Sequence, residues 1–134
     1  MIKIARLLQI IVGITGLCAL VLGLLIWIAN IDLIDIHMLF GLLVTLGLLV
    51  MSILALTAPG LRIWGMVGIV YSIILLIFGE SQSNVLAGNL HWLIQALHTL
   101  VGIGAIVLTG FIGARYRMLK RGEAKPEASS QAPR

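Results

Sequence analysis

The chain has 134 residues, of which 60% are hydrophobic and 10% are charged, and its mean hydropathy is +1.15. This composition excludes a soluble globular domain and predicts an integral membrane protein that lies in a lipid bilayer. The single cysteine excludes an intrachain disulfide, and the net charge of +4 is interpreted as a signal of membrane topology, with no nucleic acid as partner.

Four apolar runs follow one another along the chain, at about residues 7–29, 36–57, 62–79 and 91–114. Each run is close to the roughly 20 residues that a helix needs to cross a bilayer. The predicted fold class is therefore all-α, an integral membrane four-helix bundle within residues 1–121. The segment 122–134 is polar and rich in Ala, Ser and Pro, and it is predicted to be a disordered cytoplasmic tail.

The charged residues predict the orientation of the bundle. Basic residues precede the first run, lie between the second and third, or follow the fourth; beside the runs they are Lys3, Arg6, Arg62, Arg115, Arg117, Lys120 and Arg121. The other two connections carry acidic residues and no Lys or Arg. By the positive-inside rule both termini are expected in the cytoplasm, with the chain in a bacterial inner membrane. Asp32 and Asp35 are interpreted as caps of the second helix.

Matching motifs in the two halves of the chain indicate an internal repeat. The segments IVGITGL at 11–17 and IWGMVGI at 63–69 share I-x-G-x-x-G, and HMLFG at 37–41 and HTLVG at 98–102 share H-x-L-x-G. The common order predicts a duplicated two-helix hairpin, with its copies related by a pseudo-twofold axis along the membrane normal. The glycines of the first motif pair are predicted to allow close helix packing; they are Gly13, Gly16, Gly65 and Gly68.

The duplicated hairpin predicts that His37 and His98 face each other across the bundle at similar depth. Two histidines on opposite helices of an apolar bundle are the arrangement that bis-histidine haem ligation needs. Because residues i and i+4 share a helix face, Gly41 and Gly102 are expected to leave room beside the histidines for a porphyrin edge. His37 and His98 are thus candidate metal ligands. With three histidines in all, the chain can hold one haem b in this way.

The third histidine, His91, lies seven residues before His98 on nearly the same helix face, about 10 Å further outward. It is a candidate cofactor-binding residue, for a haem propionate, because the predicted outer side has no basic side chain. Asn89, Gln95 and backbone amides are the other candidates for that contact. Two alternatives stay open: His91 lies in the interfacial zone and contacts only water and headgroups, or it replaces His37 or His98 as a ligand.

The H-x-x-x-G motifs in helices two and four resemble those of membrane-embedded b-type cytochromes, including the cytochrome b561-like proteins and the two-repeat haem A synthase type. The resemblance rests on His37, Gly41, His98 and Gly102. It implies an electron-transfer function, with haem as the carrier and a quinone or a redox protein as partner. Any enzyme activity that it implies is that of an oxidoreductase.

A second class of function stays open, that of a cofactor-free accessory or interaction protein whose histidines hydrogen-bond between helices. A proton relay is another alternative, as is a copper site formed by His91, His98 and Met38. A homodimer formed through the glycine-bearing faces of helices one and three is also left open.

Overall fold

The computed structural model describes the backbone of residues 1–81 and 88–130, and the side chains of residues 1–81 and 88–123. Within these residues the chain is all-α, and the predicted four-helix bundle is confirmed. The helices are α1 (Ile2–Ala29), α2 (Ile34–Leu56), α3 (Arg62–Ser81) and α4 (His91–Ser130), with a single 3-10 turn at Pro59–Leu61 between α2 and α3.

Helix α4 extends beyond its predicted end. Its backbone is helical through Ser130, so the structure differs from the predicted disordered tail over residues 122–130. Residues 115–123 are rich in Arg, Leu, Met and Lys, and these residue types have a high intrinsic helix propensity even where they are exposed. Lys120 also donates to Glu123 at 2.7 Å, one turn along the same helix. The last tail residues, 131–134, lie outside the described residues.

Each of the four helices is long and apolar enough to cross a membrane. Large Leu, Ile, Val and Met side chains are exposed on all of them, including Leu17, Leu39, Ile77 and Val107. In water such a surface would drive aggregation, whereas lipid acyl chains solvate it. The structure is thus that of a multi-pass membrane protein.

Helices α2 and α4 lie at the centre of the bundle. They pack against each other, and each also packs against both α1 and α3, while α1 and α3 do not touch within the described residues. This set of helix pairs is unchanged when α1 is exchanged with α3 and α2 with α4, as a duplicated hairpin predicts. The arrangement brings the two histidine-bearing helices together.

The closely packed part of the bundle lies toward one end, which we call the basic end because it carries Lys3, Arg6, Arg62 and Arg115. Tyr116 near this end contacts the Sδ atom of Met1 through its hydroxyl at 3.6 Å, so the start of α1 lies beside the later part of α4. The hydrophobic residues that are at most 1% exposed all lie in this half; they are Ala5, Val12, Leu48, Met51, Ala55, Ala58, Leu61, Ala105, Ile112 and Tyr116. The opposite end, which carries Asp32, Asp35 and Glu80, is the acidic end.

Glycines bring the helix backbones together in the basic half. A Cβ atom at Gly16 would overlap Ile106 of α4, and one at Gly65 would lie 2.7 Å from the backbone oxygen of Ser52 on α2. Gly68 likewise makes room for the side chain of Ser52. The predicted packing role is thus confirmed for Gly16, Gly65 and Gly68. It is wrong within this chain for Gly13, whose Cβ position has no atom within 4 Å.

We expect Gly65→Ala to destabilise the bundle, because the added methyl meets a backbone oxygen that cannot rotate away. Overpacking of this kind costs about 1–3 kcal/mol. Gly13→Ala is the matched control and should change the free energy of unfolding by less than about 0.5 kcal/mol. Reversible unfolding in mixed micelles measures both variants, and equal stability of the two would contradict this account of the α2–α3 contact.

Candidate functional site

Toward the acidic end the helices separate around a cavity of about 620 Å³. Residues from all four helices line it, and most of them are apolar or glycine. Its histidine, carboxylate, carboxamide and hydroxyl groups belong to Asp35, His37, Thr45, Glu80, Gln95, His98 and Thr99. The hydroxyls of Thr45 and Thr99 donate to carbonyls one turn earlier in their own helices, at 2.9 Å in both cases. The histidines, the carboxylates, Gln95 and the indole N–H of Trp27 are therefore the groups that remain to meet a ligand.

His37 and His98 face each other in this cavity, as the repeat predicts. Their ring centroids are 6.0 Å apart, and the ring planes are inclined by 57°. Since an imidazole nitrogen lies about 2 Å from a metal ion and the ring centroid about 1 Å beyond it, two rings on opposite sides of one ion have centroids about 6 Å apart. The observed separation would let His37 and His98 bind one metal ion between them.

The backbone of α1 orients the ring of His37. Nδ1 of His37 lies 2.9 Å from the carbonyl oxygen of Ala19. A carbonyl oxygen only accepts, so Nδ1 carries the proton and donates it, and the lone pair lies on Nε2. Gly23 permits this approach, because a Cβ atom there would lie 3.1 Å from Cε1 of His37. His37 is thereby fixed in the tautomer that a metal ligand needs.

His98 is placed by packing instead of by a hydrogen bond. Its Nδ1 atom is buried and has no hydrogen-bond partner among the described residues. Its ring centroid lies 5.8 Å from that of Phe78 on α3. A Cβ atom at neighbouring Gly79 would lie 3.7 Å from Cε1 of His98, which is an ordinary contact distance. The two histidines therefore differ in how firmly they are held.

Gly41 and Gly102 line the cavity, one turn along the helix from His37 and His98 respectively. A Cβ atom at either position would have no neighbouring atom within 4 Å. The prediction that both glycines leave open space beside the histidines is confirmed. Whether a cofactor edge occupies that space stays a prediction.

Other parts of the predicted site lie elsewhere. Among the described residues that line the cavity, Gln95 is present, but His91 and Asn89 are not. The copper alternative therefore lacks His91 at the cavity that His98 and Met38 share. No group of three His, Cys, Asp or Glu side chains able to hold a metal ion forms in the described parts of the chain.

Several residues of the cavity are not predicted by the sequence. The predicted caps of α2, Asp32 and Asp35, make no capping hydrogen bond, because the N-cap is Leu33, without a side-chain hydrogen bond. Asp35 does lie in the first turn of α2, where its charge suits the helix dipole, and it lines the cavity. Glu80 and Trp27 line it as well. Ala19 and Gly23 are small residues at positions i and i+4 of α1, so they share one helix face. Such a pair predicts that a side chain of a neighbouring helix can approach closely at this place.

No family model, no curated protein and no solved structure matches the chain. A helical bundle as such hosts many unrelated functions, so the fold does not decide between them. The chemistry of the histidine pair and its cavity is therefore the basis for a functional assignment.

The unequal environments of the histidines predict unequal effects on stability in protein purified without a bound cofactor. His37→Leu removes the hydrogen bond to Ala19, and we expect a loss of about 0.5–1.5 kcal/mol in the free energy of unfolding. His98→Leu removes a buried nitrogen that has no partner, and stability should stay the same or rise by about 1 kcal/mol. Unfolding in mixed micelles distinguishes the two. Equal losses would show that the hydrogen bond to Ala19 contributes nothing.

Proposed function

We propose that the chain is a membrane haem b protein that transfers electrons and holds one haem between α2 and α4 through His37 and His98. The observation that carries the proposal is the 6.0 Å separation of the two imidazole rings inside a largely apolar cavity. A porphyrin supplies the other four ligands of its iron, so the protein needs to provide only two. A pair of histidines without a third metal-ligating side chain meets that need.

The cavity also suits the macrocycle. Its volume of about 620 Å³ lies within the roughly 300–1,000 Å³ of ordinary ligand sites. The open space beside Gly41 and Gly102 adjoins both histidines, so a flat apolar ligand has room close to the two rings. An apolar lining excludes water and thereby tunes the redox potential of a bound haem.

The propionates of haem meet a less favourable environment. The described lining has the carboxylates of Asp35 and Glu80 and no Lys or Arg. Neutral donors are present, namely the indole N–H of Trp27 and the carboxamide of Gln95. In this proposal those two groups bind the propionates in place of His91. The carboxylates repel the propionates and weaken haem binding.

The residues of the chain set the properties of the site. Haem, when bound, supplies one-electron redox chemistry. The Ala19 carbonyl keeps the lone pair of His37 on Nε2 and fixes the orientation of the ring. His98 completes the ligand pair from the opposite helix. The partner is a quinone or a redox protein that approaches from the acidic end, where the cavity residues Asp35 and Glu80 lie.

We further propose that both termini face the cytoplasm of a bacterial cell. The basic residues near the start of α1, the 3-10 turn and the later part of α4 support this orientation through the positive-inside rule. Contacts of Gln9 with Gly110 and of Gly60 with Leu119 support the same grouping, because they bring these three segments to one end of the bundle.

The absorption spectrum of the detergent-purified protein tests haem binding. Expressed with an adequate supply of haem, the wild type should show the sharp Soret and α bands of a low-spin bis-histidine haem after reduction with dithionite. The double variant His37→Ala/His98→Ala should lack them. Gly102→Leu should also lose them while staying monodisperse, since its side chain fills the open space beside His98.

His91→Ala is the matched control for the spectrum and should keep the bands of the wild type, because His91 does not line the cavity among the described residues. Loss of the bands in this variant would show that His91 contributes to haem binding. A colourless wild type would overturn the haem proposal and favour the hypothesis of a cofactor-free accessory protein.

Reporter fusions test the orientation. Alkaline phosphatase is active only outside the cytoplasm. Fused after Ile31 it should be active, because that loop belongs to the acidic end, which faces away from the cytoplasm in the proposed orientation. Phosphatase fused after Arg121 should be inactive and green fluorescent protein at that position fluorescent. An active phosphatase after Arg121 would reverse the orientation without affecting the haem proposal.

A further inference from the structure

The two candidate ligands are held unequally, although they occupy matching places in the repeat. Nδ1 of His37 donates to the oxygen of Ala19 at 2.9 Å, whereas Nδ1 of His98 is buried without a hydrogen-bond partner among the described residues. The first hydrogen bond selects one tautomer of His37, and nothing comparable selects a tautomer of His98. The tautomer and the ring orientation of His37 are therefore fixed before any ligand binds, whereas no hydrogen bond to Nδ1 fixes those of His98.

The matching positions of α1 and α3 carry different residues. Aligning the segments 11–17 and 63–69 places Tyr71 of α3 at the position that Ala19 has in α1. The hydroxyl of Tyr71 donates to the carbonyl oxygen of Val101 on α4 at 2.8 Å. At this position α3 binds the backbone of α4 through the Tyr71 side chain, and Nδ1 of His98 has no hydrogen-bond partner among the described residues.

The ring of His98 also has more space than the ring of His37. A Cβ atom at Gly23 would lie 3.1 Å from Cε1 of His37, but one at Gly79 would lie 3.7 Å from Cε1 of His98. The spaces beside Gly41 and Gly102 are open alike. The ring of His98 is therefore less closely confined than the ring of His37, which lies against Ala19 and Gly23 of α1.

We propose that His98 is the displaceable ligand of the site and that its side binds an uncharged diatomic molecule such as carbon monoxide or nitric oxide. This inference rests on the proposed haem function. The coordinate bond from His98 is replaced by one from the small molecule without a change of oxidation state, and His37 stays bound. The site thereby responds to a dissolved gas in addition to carrying electrons.

The surroundings select an uncharged ligand. The ring of Phe78 lies 5.8 Å from that of His98, and most of the cavity lining is apolar. The carboxylates of Asp35 and Glu80 line the same cavity and disfavour anions such as azide. Carbon monoxide should therefore bind to the reduced protein, whereas azide should bind poorly to the oxidised protein.

Carbon monoxide binding to the dithionite-reduced holoprotein tests the inference. Partners that orient a metal-ligating histidine typically change affinity by about 10–100-fold, so we expect carbon monoxide to displace His98 and not His37. His98→Ala should keep its haem and bind carbon monoxide at least about 10-fold faster than the wild type. His37→Ala should lose its haem or retain about a tenth of it at most.

A variant pair at Gly79 tests the role of the missing acceptor in an otherwise intact site. Gly79→Ser places a hydroxyl beside the ring of His98 as an acceptor for Nδ1, and Gly79→Ala adds the same Cβ without the hydroxyl. The serine variant should bind carbon monoxide about 10-fold more slowly than the alanine variant. Equal rates would contradict the view that the lack of a hydrogen bond makes His98 displaceable.

The outcomes separate this inference from the haem proposal. If the wild type contains haem but binds no carbon monoxide, or if both single histidine variants lose haem equally, His98 is not displaceable and the haem proposal stands. Azide binding to the oxidised wild type that is no weaker than its binding to the variant Asp35→Asn/Glu80→Gln would overturn the selection for uncharged ligands. A wild type without haem would overturn the haem proposal itself, and this inference with it.

Discussion

Close packing of the helix backbones in the basic half is the constraint on which the rest of the structure depends. In lipid, apolar side chains gain little by leaving the solvent, so helices associate through dispersion contacts and hydrogen bonds at close range. Gly16, Gly47, Gly65 and Gly68 supply that close range, because each lacks the Cβ atom that would collide with the neighbouring helix. The helices are thereby held together at one end and can enclose a cavity at the other.

Polar groups inside the bundle are satisfied mainly by the backbone. The hydroxyls of Thr15, Ser52 and Thr109 donate to carbonyls one turn earlier in the same helix. These hydroxyl protons therefore need no acceptor on another helix. Gln9 and Tyr71 donate across to carbonyls of α4. His98 stands apart from this pattern because its buried Nδ1 atom has no partner among the described residues. A polar atom left in that state weakens the fold, and a functional reason for it is therefore expected.

Duplication of a hairpin places two histidines opposite each other, but it does not make their environments equal. The repeated motifs put a small residue, Ala19, in the first copy and Tyr71 at the corresponding place in the second. The carbonyl oxygen of Ala19 accepts a hydrogen bond from His37, whereas Tyr71 reaches across to Val101 through its hydroxyl. The two copies of the hairpin thus give one imidazole that a hydrogen bond orients and one whose Nδ1 atom has no partner among the described residues.

The sequence alone determined the helix count, the approximate spans and the opposition of His37 and His98, because these follow from apolar run length, charge placement and the order of repeated motifs. It also predicted the open space at Gly41 and Gly102, since residues at i and i+4 share a helix face. Only the tertiary structure decided that Ala19 holds His37, that Gly79 and Phe78 adjoin His98, and that Asp35 and Glu80 line the cavity while His91 does not. These contacts join different helices, so they depend on how each helix is rotated and at what angle it crosses its neighbours. Small residues at the helix contacts set this rotation and crossing, and an almost uniformly apolar sequence does not show which of its small residues make those contacts.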